Sequence, residues 1–163
     1  MRARKRFGQH FLEDVWVRKV IAAVSPQPDD VILEIGPGAG ALTLPLARSA
    51  RLVVGVELDR DLAADLTALA PPNVRVVAGD ILDADLAGVL PPDASRIRVV
   101  GNLPYNISSP ILFKLLDAQA ADPRISDATL MLQKEVADRL VASPGTHDYG
   151  VLTVLLGRRA RMT

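Results

Sequence analysis

The chain has 163 residues, of which 49% are hydrophobic, and its 19 basic and 19 acidic side chains give a formal net charge of zero. This length and apolar content are enough to bury one core and predict a single domain. The chain has no cysteine, which excludes a disulfide framework and a thiolate metal site. Charged residues or prolines interrupt every apolar run before it reaches membrane-spanning length.

The basic residues are concentrated at the two ends of the chain. Four lie within the first six residues, and three more lie near the other end: Arg2, Arg4, Lys5, Arg6, Arg158, Arg159 and Arg161. No signal-peptide core follows the first group, so we expect a cytoplasmic protein. Composition leaves two interpretations open, namely solvated termini or a basic arm that contacts nucleic-acid phosphates.

Strand and helix patterns alternate along the chain. Apolar runs predict five strands, near residues 31–33, 52–56, 74–78, 97–100 and 128–132. Helices are predicted at 15–24, 41–50, 59–69, 110–120, 134–141 and 151–156. This order predicts an α/β fold, with a mostly parallel sheet and helices on both of its faces.

A glycine-rich loop follows the first predicted strand. Glu34 precedes Gly36, Gly38 and Gly40, and a predicted helix comes next. Glycines let the backbone approach a ligand closely, and this order is that of a nucleotide-binding crevice at the carboxyl end of a parallel sheet. The G-x-G-x-G spacing differs from the dinucleotide fingerprint and, with the acidic residue, favours an adenosyl ligand without a pyrophosphate. A tight strand-to-helix turn would also use glycine.

Acidic residues follow the second and third predicted strands. Glu57 is placed to accept both hydroxyls of a ribose, and Asp80 is placed to accept a hydrogen bond from an adenine amino group. Taken singly, each is more often a solvated loop carboxylate or a helix N-cap, which is the role we expect for Asp59 and Asp61. Their recurrence at successive strand ends favours one shared nucleoside site.

The segment Asn102, Leu103, Pro104 and Tyr105 follows the fourth predicted strand. Alkylation of an adenine amine requires groups that hold the amine by its protons and a surface that keeps the base planar. The Asn102 side-chain carbonyl and the Leu103 backbone carbonyl suit the first task, because a residue before proline is held in extended geometry. The Tyr105 ring suits the second. Alone, these residues are more often a strand and a turn, but the upstream glycine loop favours the catalytic interpretation.

Together these motifs resemble those of the ribosomal RNA adenine N6,N6-dimethyltransferases, in particular the KsgA-like small-subunit type. The matching stretches span nearly the whole chain in the family's order: 7–12, 34–43, 57–59, 79–80, 101–110 and 132–139. The resemblance implies a Rossmann-like fold, S-adenosylmethionine as methyl donor, and dimethylation of adenine amines in small-subunit ribosomal RNA during ribosome biogenesis. It also implies donor contacts for His10, Leu12, Gly36, Gly38, Glu57, Asp80 and Asn102. Family members often have Asn at the position of His10.

The resemblance also carries expectations about the extent of the chain. Relatives continue with two more strands and a small helical domain, and the connecting stretch carries a second aromatic that helps to sandwich the target base. We therefore expect residues 1–163 to form an incomplete methyltransferase domain that binds the donor but is poorly active. The expected partner is small-subunit ribosomal RNA or the pre-ribosomal small subunit. We expect a monomer with no membrane partner and no metal.

Three other functions share parts of this pattern. A nucleotide-dependent oxidoreductase would use the same sheet, but it needs a different glycine spacing and has no use for the segment after the fourth strand. A non-catalytic ribosome-assembly factor would use the fold as an RNA-docking body. A large-subunit antibiotic-resistance dimethyltransferase is closer, although Leu103 and the stretches 106–110 and 133–139 favour the small-subunit type.

Overall fold

The computed structural model describes residues 13–163 and contains a five-stranded parallel sheet with the strand order β3-β2-β1-β4-β5. The strands are β1 Val31–Ile35, β2 Leu52–Glu57, β3 Val74–Ala78, β4 Ile97–Asn102 and β5 Ile125–Met131. The helices are α1 Asp14–Val24, α2 Thr43–Ala47, α3 Arg60–Leu69, α4 Leu86–Val89, α5 Ser108–Ala121, α6 Lys134–Val141 and α7 Val151–Gly157. The predicted parallel α/β fold is confirmed.

The central strand is apolar because both faces of the sheet are covered. β1 is buried along its whole length. On one face Leu33 belongs to a core that includes Ile111 of α5, and on the other Ile32 packs with Val24 of α1 and Leu46 of α2. Two-sided burial produces the continuous apolar run from which β1 is predicted. Within residues 13–163, no helix is both long enough and apolar enough to cross a membrane.

The strand order reverses at β1, which pairs with β2 on one side and β4 on the other. In an open parallel sheet, ligands bind outside the carboxyl ends of the strands at such a switch point. The loops that follow β1 and β4 border this point, and they carry the glycine motif and the segment after Asn102. The topology therefore places the two main sequence motifs beside each other.

Two predicted elements differ from the structure by three residues at one end, whereas the bounds of the others agree to within two residues. The helix predicted for 41–50 is only α2, because Pro45 lacks an N–H group and the N–H groups of Arg48 and Ser49 bond three residues back. The last strand begins at Ile125 and not at residue 128. A register shift at this strand's start leaves Ser126 unpaired in the ladder, and this polar start hides the strand in the sequence. The short helix α4 was not predicted.

Candidate functional site

A cavity of about 150 Å³ lies at the carboxyl ends of the first four strands. Most of the predicted site residues line it: Gly36, Gly38, Glu57, Asp80, Asn102, Leu103 and Pro104. Tyr105 is not among the lining residues and is 54% exposed. His10 and Leu12, which are predicted donor contacts, lie outside the described residues. The structure thus brings four separate loops together around one crevice.

The first residue of each main loop is fixed by a hydrogen bond that continues the sheet ladder. The Gly36 N–H donates to the Val56 carbonyl at 2.9 Å, and the Gly79 N–H donates to the Glu57 carbonyl at 2.8 Å. The Leu103 N–H likewise donates to the Met131 carbonyl at 3.0 Å. Because a rigid sheet holds each loop at its root, the side chains that follow are well positioned for ligand binding.

The glycine loop has a conformation that other residues rarely adopt. Gly36, Gly38 and Gly40 have φ angles of 67°, 56° and 89°, in the left-handed region that favours glycine. A Cβ atom at Gly36 or Gly38 would meet open space, whereas one at Gly40 would lie 2.7 Å from Leu66 Cδ1. The first two glycines therefore leave the backbone accessible from the cavity, and the third permits close packing on α3.

The glycine loop packs against Gly55 of β2. A Cβ atom at Gly55 would lie 2.8 Å from Cγ of the Pro37 ring and 3.3 Å from its Cβ. Since real Cβ atoms do not approach so closely, a side chain at this position would displace Pro37 and the loop around it. This packing requirement cannot be seen in the loop's own sequence.

Glu57 holds the glycine loop with its carboxylate. Its Oε2 accepts the Gly38 N–H at 2.8 Å, and its Oε1 accepts the Asp59 N–H at 2.9 Å. Each carboxylate oxygen has a second acceptor position, so hydroxyl donors can be bound as well. Asp59 caps α3 by accepting the N–H groups of Asp61 and Leu62, which confirms the N-cap predicted for Asp59.

Asp80 begins a compact turn after β3. Its Oδ1 accepts the Leu82 N–H at 2.9 Å, and its backbone carbonyl accepts the N–H groups of Asp83 and Ala84. The half-buried Asp80 side chain also lines the cavity. This carboxylate is therefore held by its own turn on the side of the crevice opposite β4.

The segment after β4 combines buried and exposed residues. Asn102 is the last residue of β4 and is half-buried, and Leu103 is only 2% exposed. The exposed Tyr105 ring lies beyond the cavity lining. Asn102, Leu103 and Pro104 therefore line the cavity, and the exposed Tyr105 follows them directly in the chain.

Glu34 is a functional candidate that the sequence reasoning did not select as a site residue. It is 2% exposed and lines the cavity, and its Oε2 has no hydrogen-bond partner among the described residues. Burial raises the pKa of Glu34 to about 7; the neighbouring Thr43 hydroxyl lowers it, and the negative charge of Glu57 raises it. The signal in the sequence was an acidic residue inside an apolar strand.

The chain matches the family model described as ribosomal RNA adenine dimethylase over residues 1–160. The chain belongs to this family. Ribosomal RNA small subunit methyltransferase A from Xylella fastidiosa (strain 9a5c) is 50% identical in an alignment 157 residues long, and the match covers 94% of this chain and 58% of the relative. The chain therefore spans less than two thirds of that protein's length.

Two solved structures extend the comparison to three dimensions. A dimethyladenosine transferase from Plasmodium falciparum has a TM-score of 0.74 and 31% identity, covering 89% of this chain and 51% of that chain. The 23S ribosomal RNA methyltransferase ErmE has a TM-score of 0.69 and 32% identity, covering 91% of this chain and 55% of that chain. The family assignment made from the sequence motifs is thus confirmed, and the fold is Rossmann-like.

Proposed function

We propose that residues 1–163 form the S-adenosylmethionine-binding methyltransferase domain of an enzyme that dimethylates adenine amines in small-subunit ribosomal RNA. The observation that carries the proposal is the meeting of the glycine loop, Glu57, Asp80 and Asn102 around one cavity in a member of the adenine dimethylase family. In this proposal the protein is cytoplasmic and monomeric, and its partner is the RNA of the small subunit or its precursor.

The residues around the cavity fit such a donor. The ribose hydroxyls suit the remaining acceptor positions of Glu57, and the adenine amine suits the Asp80 carboxylate. The methionine end carries an ammonium and a carboxylate group beside the sulfonium. The open backbone at Gly36 and Gly38 lets it approach closely, and Glu34 Oε2, which has no partner among residues 13–163, suits its ammonium. His10 and Leu12 remain predicted contacts of the donor.

The chemistry follows from the groups after β4. When bound, the donor supplies a methyl group on a sulfonium sulfur, and transfer leaves the electron pair on that sulfur. The Asn102 side-chain carbonyl and the Leu103 backbone carbonyl, directed by Pro104, accept the protons of the target amine. Their dipoles then face the positive charge that develops on the nitrogen, and holding the amine in line lowers the barrier further. The amine loses a proton to water after transfer.

Tyr105 receives the target base. An adenine that is taken out of its RNA stack needs a new surface, and base stacking on an aromatic ring contributes about 1–3 kcal/mol. The half-exposed Tyr105 ring offers such a surface beside Asn102 and Leu103. Stacking requires the ring and not the hydroxyl, so we expect Tyr105→Phe to retain the function.

The small-subunit assignment rests on a difference in sequence identity between two kinds of relative. The chain is 50% identical to a small-subunit methyltransferase and 32% identical to a 23S ribosomal RNA methyltransferase, with coverage of 94% and 91% of this chain respectively. The 23S enzymes act on the large subunit. A large-subunit substrate is therefore the second candidate, and it is distinguished by assay and not by the shape of the donor cavity.

A chimera tests the proposal directly. This chain would replace the part of the Xylella relative that it matches, and labelled methyl transfer would be measured on purified small and large subunits. We expect two methyl groups on adenine N6 atoms of small-subunit RNA and no transfer with Asn102→Ala. Transfer to large subunits alone would favour the second candidate.

Donor identity is tested with the unmodified chain. Calorimetric titration should show binding of S-adenosylmethionine and no comparable binding of NAD. The opposite preference would indicate an oxidoreductase. An Asn102→Ala chimera that supports normal small-subunit maturation would indicate a non-catalytic assembly factor instead.

A further inference from the structure

A lysine of α5 forms hydrogen bonds with the loop that carries Asp80. The Lys114 ammonium donates to the backbone carbonyls of Leu82, at 2.7 Å, and Ala84, at 2.8 Å. Of the backbone N–H groups in residues 13–163, none donates to either carbonyl. The half-buried Lys114 side chain therefore supplies the hydrogen bonds of two carbonyls within the loop.

These two carbonyls belong to the same turn that Asp80 begins. Asp80 binds the Leu82 N–H with its carboxylate and the Ala84 N–H with its carbonyl. Leu82 and Ala84 are thus held on one side by Asp80 and on the other by Lys114. A displacement of these two residues would therefore disturb the hydrogen bonds that hold Asp80 in place.

The helix that carries Lys114 also continues from the segment proposed to bind the target base. α5 begins at Ser108, shortly after Tyr105. Ile111 of α5 lines the cavity, and Leu115 packs in the same core as Ile81, the neighbour of Asp80. Lys114 therefore joins the Asp80 side of the crevice to the side that carries the segment after β4.

We infer that Lys114 is a positioning residue, which holds the turn of Asp80 where the adenine of the donor requires it. The inference rests on the proposed function, because donor adenine is the ligand proposed for Asp80. Lys114 does not line the cavity, so it acts through the two carbonyls and not by touching the donor. Three donors on one flexible stem suit this task, since two carbonyls are bound at once.

Two variants at this position separate the hydrogen bonds from the packing. Lys114→Met keeps a long apolar stem without donors, and Lys114→Arg keeps the donors. Lys134→Met is the matched control, because Lys134 is 83% exposed and pairs with Asp138 on α6, away from the turn. The measurements are the affinity for S-adenosylmethionine by calorimetry and the amide hydrogen exchange of residues 81–84.

We expect Lys114→Met to bind S-adenosylmethionine roughly tenfold more weakly, as the loss of charged hydrogen bonds predicts. Amide exchange should become faster at 81–84 and stay unchanged in the glycine loop at 36–40. Lys114→Arg should restore most of the affinity, which a general loss of stability would not explain. Lys134→Met should resemble the unmodified chain.

Different results overturn different statements. If a folded Lys114→Met protein binds S-adenosylmethionine as tightly as the unmodified chain does, the inference is wrong, whether or not amide exchange at 81–84 has changed. The proposed function would be unaffected by this result. Weaker binding with unchanged exchange at 81–84 also overturns it, because the turn is then held without Lys114. An unmodified chain that binds no S-adenosylmethionine overturns the proposed function, and this inference with it.

Discussion

At the scale of single residues, Glu57 has two tasks that one substitution removes together. Its carboxylate supports the glycine loop through Gly38 and is the proposed partner of the donor's ribose. We expect Glu57→Ala to weaken S-adenosylmethionine binding by about 1–3 kcal/mol, which is the cost of unpaired polar groups. Calorimetry measures the change, with the exposed Asp65→Ala of α3 as control. A folded Glu57→Ala protein with unchanged donor affinity would contradict the assignment.

Glu57→Gln removes only one of the two acceptor oxygens of this side chain. A carboxamide has one acceptor oxygen, whereas the carboxylate uses one oxygen for Gly38 and the other for Asp59. One of these backbone N–H groups therefore loses its partner in the variant. We expect donor affinity between those of the unmodified chain and Glu57→Ala, with faster amide exchange at either Gly38 or Asp59. Affinity equal to the unmodified chain would show that one acceptor oxygen is enough.

Glu34 makes stability depend on pH in an unusual direction. Burial raises its pKa from 4.5 to about 7 in the folded chain, so between these values the folded state holds a proton that the unfolded state has released. The free energy of unfolding then falls as pH rises through this window, by about 1.4 kcal/mol per pH unit and about 3 kcal/mol in all.

Urea unfolding of the unmodified chain and of Glu34→Gln at pH 4.5 and pH 8 measures this contribution. Because other groups titrate in both proteins, the difference between them isolates Glu34. The quantity compared is the free energy of unfolding of Glu34→Gln minus that of the unmodified chain. We expect this difference to rise by about 3 kcal/mol from pH 4.5 to pH 8. An equal difference at both pH values would show that folding does not raise the pKa of Glu34.

Several residues of the site could be predicted because their signal is local. The glycines, Glu57, Asp80 and Asn102 each stand directly after an apolar run, and parallel strands bring their carboxyl ends together. Lys114 has no such signal, since its partners at Leu82 and Ala84 are some thirty residues away in the chain. Its role exists only once α5 packs beside that turn.

At the scale of elements, Arg98 joins four segments at the sheet edge opposite the site. Its Nη1 donates to the Val24 carbonyl of α1 at 2.6 Å and to Asp30, before β1, at 3.3 Å. Its Nε donates to Asp127 of β5 at 3.0 Å. The guanidinium is mostly buried, and although burial lowers its pKa, the hydrogen bonds and charges of Asp127 and Asp30 raise it overall. These contacts fix α1 and β5 against the central strands.

We expect Arg98→Met to cost about 3–5 kcal/mol of stability, because removing one partner leaves the buried Asp30 charge poorly compensated. Arg51→Met is the control, since Arg51 pairs with Asp93 at the surface and such pairs contribute about 1 kcal/mol or less. Chemical denaturation measures both. Equal costs for the two variants would mean that the Arg98 contacts do not differ from surface ion pairs.

The same contacts explain why element boundaries were harder to predict than element types. β1, β2 and most of β4 are buried, and burial on both faces demands the uninterrupted apolar residues from which strands are predicted. The start of β5 was missed because Ser126 and Asp127 look like loop residues. Arg96 and Arg98 bond to these polar groups across the sheet, and a local pattern contains no information about such distant partners.

At the scale of the whole molecule, we expect the chain to bind the donor without methylating RNA efficiently. Every proposed donor contact lies at or before Asn102, and those among residues 13–163 lie in the first four strands and the loops that follow them. Relatives are longer, and this chain covers 58% of the Xylella protein. We expect the chain alone to bind S-adenosylmethionine, and to bind RNA weakly and in a salt-sensitive manner through its basic termini.

The final prediction compares the chain with the chimera under identical conditions. Equal concentrations would be titrated with the donor and then assayed for labelled methyl transfer to small subunits, at low and high salt. We expect donor affinity for the chain within about tenfold of the chimera, a difference of about 1.4 kcal/mol, but little or no methyl transfer by the chain alone. The physical reason is that stacking on Tyr105 holds one face of a base, whereas transfer requires the whole base to be fixed in line, and the longer chimera can add contacts to its other face. Efficient dimethylation by residues 1–163 would show that they contain the complete site for the target base.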